Sequence, residues 1–161
     1  AELIAAELGE VTGDVGTFET CGAEVAASLT ELDTQVREVL DTVPADRRVL
    51  VTDHDAFGYL ANAYGFEVAG VVIPGGSTMA ESSSQELAAL VDVITDEGVA
   101  AVFSNATLSS VQVDALTREV GSDVEVIELH VDSLGPDGSG ADTYSGMMLT
   151  NAERIAAGLG G

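Results

Sequence analysis

The sequence contains no lysine and no tryptophan, and its only basic residues are five arginines, against 28 aspartates and glutamates. The 161-residue chain therefore has a formal net charge of −23 at pH 7. A surface this negative repels phosphate backbones and anionic lipid headgroups, which argues against binding to nucleic acid or to a membrane surface. It attracts cations. Two explanations stay open: a cationic ligand, or an acidic composition that reflects a saline habitat or the composition of the genome.

Cysteine and long apolar runs are also scarce. The single cysteine, Cys21, excludes an intramolecular disulfide and a thiolate metal cluster. Because Cys21 lies in an apolar helical stripe, we expect a small buried thiol. No run of about 18 apolar residues predicts a membrane-spanning helix, and the residues after Ala1 lack the features of a signal peptide. The chain begins without methionine inside helix-like sequence, so we expect a mature protein or a piece of a longer one.

A long amphipathic helix is predicted over residues 17–43, because apolar residues recur there every three or four positions. Its length is about 40 Å at 1.5 Å per residue, and Pro44 ends it. We interpret residues 1–45 as an N-terminal helical segment with a long linker helix, and residues 46–161 as an α/β lobe. The apolar stripe consists of Phe18, Cys21, Val25, Leu29, Leu32, Val36, Leu40 and Val43.

After Pro44, short apolar runs alternate with amphipathic segments. Four strands that are each followed by a helix are typical of a parallel sheet with helices on both faces. The predicted fold class is therefore α/β, with a four-stranded parallel sheet preceded by the linker helix. The predicted strands are residues 48–52, 67–73, 100–104 and 124–130, and the predicted helices are 56–64, 84–97, 109–120 and 141–159.

Polar residues follow the first and fourth predicted strands. The first ends in Asp53, His54 and Asp55, and the fourth runs into His130 and Asp132. Ligands of open parallel sheets bind outside the carboxyl ends of the strands. A neutral imidazole and a carboxylate suit zinc, and an adjacent acid can orient the imidazole through its other nitrogen. From these residues alone, metal ligation competes with helix capping by an aspartate and with hydrogen-bonded structural histidines, the interpretation we favour for His130.

The metal interpretation predicts a distance. If His54 and Asp132 share one ion at bond lengths near 2 Å, their donor atoms lie about 3 to 5 Å apart. Side chains on opposite faces of the sheet would remove this interpretation.

Two segments of the chain resemble a known family. Residues 51–65, VTDHDAFGYLANAYG, and residues 132–148, DSLGPDGSGADTYSGMM, resemble the cluster A-I solute-binding proteins of metal ABC transporters, which are receptors for zinc and manganese. The order of the predicted elements agrees as well, and the resemblance covers essentially the whole chain.

The resemblance implies an architecture and a ligand set. Members of this family have two α/β lobes joined by a long helix and hold the metal with two residues from each lobe. This chain is similar to the linking helix plus the C-terminal lobe, so an N-terminal lobe with two histidine ligands is missing from it. His54 matches the third ligand and Asp132 the fourth. Because half of the ligands are absent, we expect the chain alone to bind Zn²⁺ or Mn²⁺ weakly or not at all. Asp53 and His130 depart from the serine and tyrosine common in the family.

The implied function is a high-affinity divalent metal receptor that delivers its ion to an ABC permease, outside the cytoplasm, as a periplasmic protein or surface lipoprotein, and without enzymatic activity. Its expected partners are the ion, the permease subunits and the missing lobe. Apolar side chains of the linker helix that lack a partner would favour self-association. Two alternatives stay open: a small flavodoxin-like metal-dependent enzyme that uses His54 and Asp132, and a surface adhesion or interaction module.

Overall fold

The computed structural model describes residues 1–73, 84–105, 118–119 and 124–160, arranged in two compact units, Ala1–Arg37 and Glu38–Gly161. The predicted helix at 109–120 lies outside the described residues, apart from residues 118–119. The elements are α1 (Glu2–Thr12), α2 (Val15–Leu40), a 3-10 helix (Ala45–Arg47), β1 (Val49–His54), α3 (Gly58–Tyr64), β2 (Glu67–Ile73), α4 (Ser84–Glu97), β3 (Ala101–Asn105), β4 (Glu125–Leu129) and α5 (Tyr144–Gly158).

The long helix is present and unbroken as α2. It ends at Leu40, three residues before the predicted end, because the N–H and the hydroxyl of Thr42 both donate to the carbonyl oxygen of Val39, at 3.2 and 2.6 Å. These bonds form a tight turn before Pro44. None of the helices in the described ranges combines the length and apolar character needed to cross a bilayer.

In the first unit, α1 and α2 approach each other through small residues. Gly13, at φ 76°, closes α1 and lets the chain reverse direction. A Cβ added to Gly22 would lie 2.5 Å from the Cβ of Ala5, so only glycine fits at this point of α2.

Cys21 is exposed, so the expectation of a buried thiol is wrong. The contact between α1 and α2 uses Gly22, and within the described residues it leaves the adjacent part of the apolar stripe exposed. Val25 and Leu29, on the same stripe, are 44% and 41% exposed. Apolar spacing predicts which side chains share a helix face, but whether another surface covers that face depends on residues distant in the sequence.

The second unit contains the sheet, whose strand order is β2-β1-β3-β4 with every pairing parallel, as predicted. The observed strand limits differ from the predicted ones by at most two residues. After β2 the chain crosses β1 to reach β3 on its other side. The connection that leaves β1 and the connection that leaves β3 therefore run in opposite directions from the carboxyl ends of these two strands. Such a reversal of strand order creates the crevice in which open α/β sheets bind ligands.

One face of the sheet packs against α4. Val51, Val72 and Val102, from three adjacent strands, form a buried cluster with Leu90 and Ile94 of that helix. Leu90 and Ile94 are four positions apart, so both lie on the face of α4 that is directed toward the sheet. The contacts within this cluster hold α4 against this face of the sheet.

The opposite face packs against α5. A Cβ added to Gly158 would contact the side chains of Ile127, Ala101 and Phe103, so this glycine allows α5 to lie close to the strands. Phe103 and Val102 are consecutive and both wholly buried, as expected for a strand with helices on both sides.

Arg48, immediately before β1, connects several elements of the second unit. Its guanidinium donates to the carbonyl oxygens of Val43 and Tyr64 at 3.1 and 3.2 Å and to the carboxylate of Asp41 at 3.1 Å. It also lies over the ring of Phe66, 5.6 Å from the centroid. Lysine offers neither this planar set of donors nor the same stacking surface.

Candidate metal centre

His54 is the last residue of β1, and Asp53 precedes it. Because β1 has a strand on each side and helices over both faces, side chains at its end are enclosed. Asp53 is 1% exposed and His54 8% exposed. Both residues therefore lie at the carboxyl edge of the sheet, next to the point where the strand order reverses.

The Asp53 carboxylate holds the imidazole of His54. Its Oδ1 lies 2.7 Å from His54 Nδ1, and its Oδ2 accepts the main-chain N–H of Asn105, the last residue of β3. An ionised carboxylate can only accept hydrogen bonds, so Nδ1 carries a proton. Nε2 is then the nitrogen that offers a lone pair to a ligand whenever the ring is neutral.

His54 Nε2 is buried and makes no hydrogen bond to any described residue. The Oδ2 of Asp132 lies 3.9 Å away, too far for a hydrogen bond but within the 3 to 5 Å expected of two donors that share an ion. Tetrahedral zinc with bonds near 2 Å needs a separation of about 3.3 Å. The Asp132 side chain is 80% exposed and free to make that small movement.

Asp132 adopts a left-handed conformation with φ 63°, and it is the only residue other than glycine with positive φ in the described part of the chain. The loop around it is tied at two points. The side-chain amide of Asn105 donates to the Val131 carbonyl at 3.3 Å, and the Gly135 N–H donates to the Ala141 carbonyl at 2.8 Å. Backbone conformations of this kind cost about 1 to 3 kcal/mol and cluster at functional sites.

His130 is placed differently. Its main-chain N–H and carbonyl are both bound by the side chain of Asn151, at 2.9 and 2.8 Å. The residue is 8% exposed, and a Cβ on Gly135 would lie 3.2 Å from its ring carbon Cε1. Strand alternation would place His130 and Asp132 on the same side, but β4 ends at Leu129 and the left-handed turn separates them. The structure thus fits a structural histidine.

Two asparagines of this region do not stand out in the sequence. Asn105 binds Asp53 through its main chain and the Asp132 loop through its side chain, and Asn151 fixes the main chain of His130. Asn105 could have been proposed as a site residue from the sequence, because it is a polar residue at the carboxyl end of a buried strand. For Asn151, in the middle of a helix, no local signal exists, because its partner is 21 residues away.

Within the described ranges, no three or more histidine, cysteine, aspartate or glutamate side chains are grouped so that they could hold a metal ion. His54 and Asp132 are two side chains, and a closed zinc site uses four donors.

The fold defines the class of protein. The structure superposes on the periplasmic zinc-binding protein TroA from Treponema pallidum with a TM-score of 0.86 and 35% identity, covering 98% of this chain and 58% of that one. It superposes on the solute-binding protein FpvC from Pseudomonas aeruginosa, determined in complex with Mn²⁺, with a TM-score of 0.78 and 26% identity, covering 99% and 57%. The α/β fold is thus that of TroA-like solute-binding proteins.

The family follows from the sequence. Residues 1–158 match the family described as zinc-uptake complex component A, periplasmic (ZnuA), and the chain belongs to this family, among the cluster A-I solute-binding proteins.

Similar proteins include the zinc-binding protein TroA of Treponema pallidum, 39% identical over 81% of this chain and 43% of the relative. The manganese-binding lipoprotein MntA of Bacillus subtilis is 34% identical over 88% and 47%, and the iron-binding protein YfeA of Yersinia pestis is 30% identical over 89% and 45%. These relatives are named as binding proteins. The chain spans about half the length of the curated relatives it matches.

Proposed function

We propose that His54 and Asp132 are two ligands of a divalent metal ion, Zn²⁺ or Mn²⁺, carried by the receptor of an ABC importer. One observation carries the proposal: the buried Nε2 of His54, which has no hydrogen-bond partner among the described residues, faces the Asp132 carboxylate at 3.9 Å. An unpaired buried nitrogen costs about 1 to 3 kcal/mol, and an ion between the two groups would satisfy both. The names of the relatives support a metal of this kind.

We propose that this chain is part of a larger receptor. Because the chain spans about half of each relative, we propose that the other ligands come from an N-terminal lobe, and that residues 1–45 form the linker segment and residues 46–161 the C-terminal lobe. The complete receptor delivers its ion to the permease, outside the cytoplasm, as a periplasmic protein or lipoprotein. We propose that it has no enzymatic role, and the relatives, which are named as binding proteins, support this. We further propose that the exposed part of the apolar stripe, at Cys21, Val25 and Leu29, permits self-association.

Calorimetric titration of the 161-residue chain with Zn²⁺ tests the ligand pair. We expect one weak site whose heat is lost in His54→Ala and in Asp132→Asn. The titration is run at about 0.15 M salt or more, where the Debye length is about 8 Å or less, because 28 carboxylates collect divalent ions loosely at low salt.

Two variants serve as controls. Asp137→Asn removes an exposed carboxylate from the same loop, and His130→Gln removes the other imidazole. Both should keep the zinc heat of the unsubstituted chain. An equal loss in all four variants, or no loss in any, would refute the assignment of His54 and Asp132.

A further inference from the structure

Asp53 is a buried carboxylate whose two oxygens have different partners. Oδ1 binds the His54 ring, and Oδ2 accepts the main-chain N–H of Asn105. The ladder between β1 and β3 pairs Thr52 with Phe103, so the Asp53 side chain extends the contact between these strands beyond the last paired residues. The carboxylate is thereby fixed by a main-chain group that cannot rotate away.

This arrangement selects one form of the imidazole. With an acceptor at Nδ1, the neutral ring is protonated there and presents the Nε2 lone pair. Nε2 is buried, has no hydrogen-bond partner within the described part of the chain and lies 3.9 Å from the Asp132 carboxylate. The opposite tautomer would place a proton where the ion must bind.

We propose that Asp53 is a positioning residue that holds His54 in the Nδ1–H tautomer and makes the site prefer Zn²⁺ to Mn²⁺. The metal preference rests on the proposed function. A hydrogen bond from Nδ1–H to an anionic acceptor fixes the ring and strengthens electron donation by the other nitrogen. Imidazole suits zinc, whereas manganese is better served by carboxylate, carbonyl and water oxygens. A stronger imidazole donor therefore benefits Zn²⁺ more than Mn²⁺.

The substitution Asp53→Asn separates this role from simple support of the fold. If the asparagine oxygen accepts the Asn105 N–H, its NH₂ group faces His54 Nδ1 and favours the Nε2–H tautomer. If the oxygen accepts from His54 instead, the NH₂ group faces the Asn105 N–H, and two donors oppose each other. The amide cannot satisfy both partners, because it has one oxygen.

The tautomer is read without metal by two-bond ¹H–¹⁵N correlation spectra at pH 8.5, where histidine side chains in general are neutral. The two histidines, His54 and His130, are assigned with His130→Gln. We expect His54 in the Nδ1–H form in the unsubstituted chain and a shift to Nε2–H in Asp53→Asn. Zinc affinity should fall about 10- to 100-fold, and manganese affinity less.

Asp46→Asn is the matched control, since it removes an exposed carboxylate at the opposite edge of the sheet and should change neither readout. If Asp53→Asn does not fold, Asp53→Ala, which leaves no side-chain acceptor at this position, replaces it, with zinc affinity expected to fall by the same factor. An unchanged tautomer and unchanged zinc affinity would overturn the proposal, and so would equal losses for the two ions. If the tautomer shifts in Asp53→Asn but the zinc heat is unchanged in His54→Ala and in Asp132→Asn, the proposed function fails while the positioning role of Asp53 is supported.

Discussion

Asp132 has a left-handed backbone and a mostly exposed side chain that lies beside a buried imidazole. In this conformation its carboxylate oxygen Oδ2 lies 3.9 Å from His54 Nε2. Glycine adopts this conformation without strain, so a fold selected for stability alone would favour glycine here. Aspartate at this position has a conformational cost that glycine would not have, which agrees with a role as a ligand.

Replacing Asp132 should therefore separate stability from metal binding. We expect Asp132→Gly to unfold at the same free energy as the unsubstituted chain or up to about 1 kcal/mol higher, because relief of strain offsets the added freedom of the unfolded chain. Zinc binding should be lost. Urea denaturation and calorimetry measure the two effects, and a destabilisation of more than about 1 kcal/mol would show that Asp132 contributes to the fold through contacts of its own.

At the scale of elements, β4 and α5 are joined by a side chain. Asn151 of α5 binds both main-chain groups of His130, as a neighbouring strand would, and so fixes the start of the loop that carries Asp132. The bonds are buried, and water cannot replace them without rearrangement.

We expect Asn151→Ala to lower the free energy of unfolding by about 2 to 4 kcal/mol, because a buried donor and a buried acceptor each lose their partner. Zinc affinity should fall as well, since the Asp132 loop loses an anchor. Asn62→Ala, at an exposed position of α3, is the control and should change the stability by less than about 0.5 kcal/mol. Similar stabilities for the two variants would mean that Asn151 does not fix the loop.

The elements themselves could be predicted from the sequence, because each depends on local patterns. The spacing of apolar residues predicts α2, and the strand between Glu67 and Ile73 is predicted with its observed limits. Burial on α2 could not be predicted in the same way. Cys21 and Val36 lie on one predicted stripe, yet Cys21 is exposed and Val36 is buried. The spacing of apolar residues cannot distinguish the two, because burial depends on contacts with residues that are distant in the sequence.

In the site, too, some features could be predicted from the sequence and others could not. His54 and Asp132 could be proposed because strand order brings the carboxyl ends of parallel strands together and because the motifs resemble a known family. The contact of Asp53 with Asn105 spans 52 residues, and the left-handed turn at Asp132 follows a strand that ends earlier than predicted. No local pattern in the sequence predicts either the Asp53–Asn105 contact or the turn at Asp132.

At the scale of the whole molecule, the net charge of −23 is a source of self-repulsion. We expect the thermal midpoint to rise as NaCl is increased, with most of the gain between about 0.01 and 0.2 M, where the Debye length shortens from about 30 Å to less than 10 Å. Differential scanning calorimetry measures this dependence. A midpoint that is flat over this range, or that rises only at molar salt, would show that charge repulsion does not limit the stability.

Whether His54 and Asp132 bind one ion can be seen by anomalous diffraction at the zinc edge from crystals of the 161-residue chain grown with Zn²⁺. We expect one strong anomalous peak about 2.0 to 2.1 Å from His54 Nε2 and about 2.0 to 2.2 Å from a carboxylate oxygen of Asp132. Zinc bound only at other carboxylates, with His54 Nε2 and Asp132 free of metal in well-ordered density, would contradict this expectation.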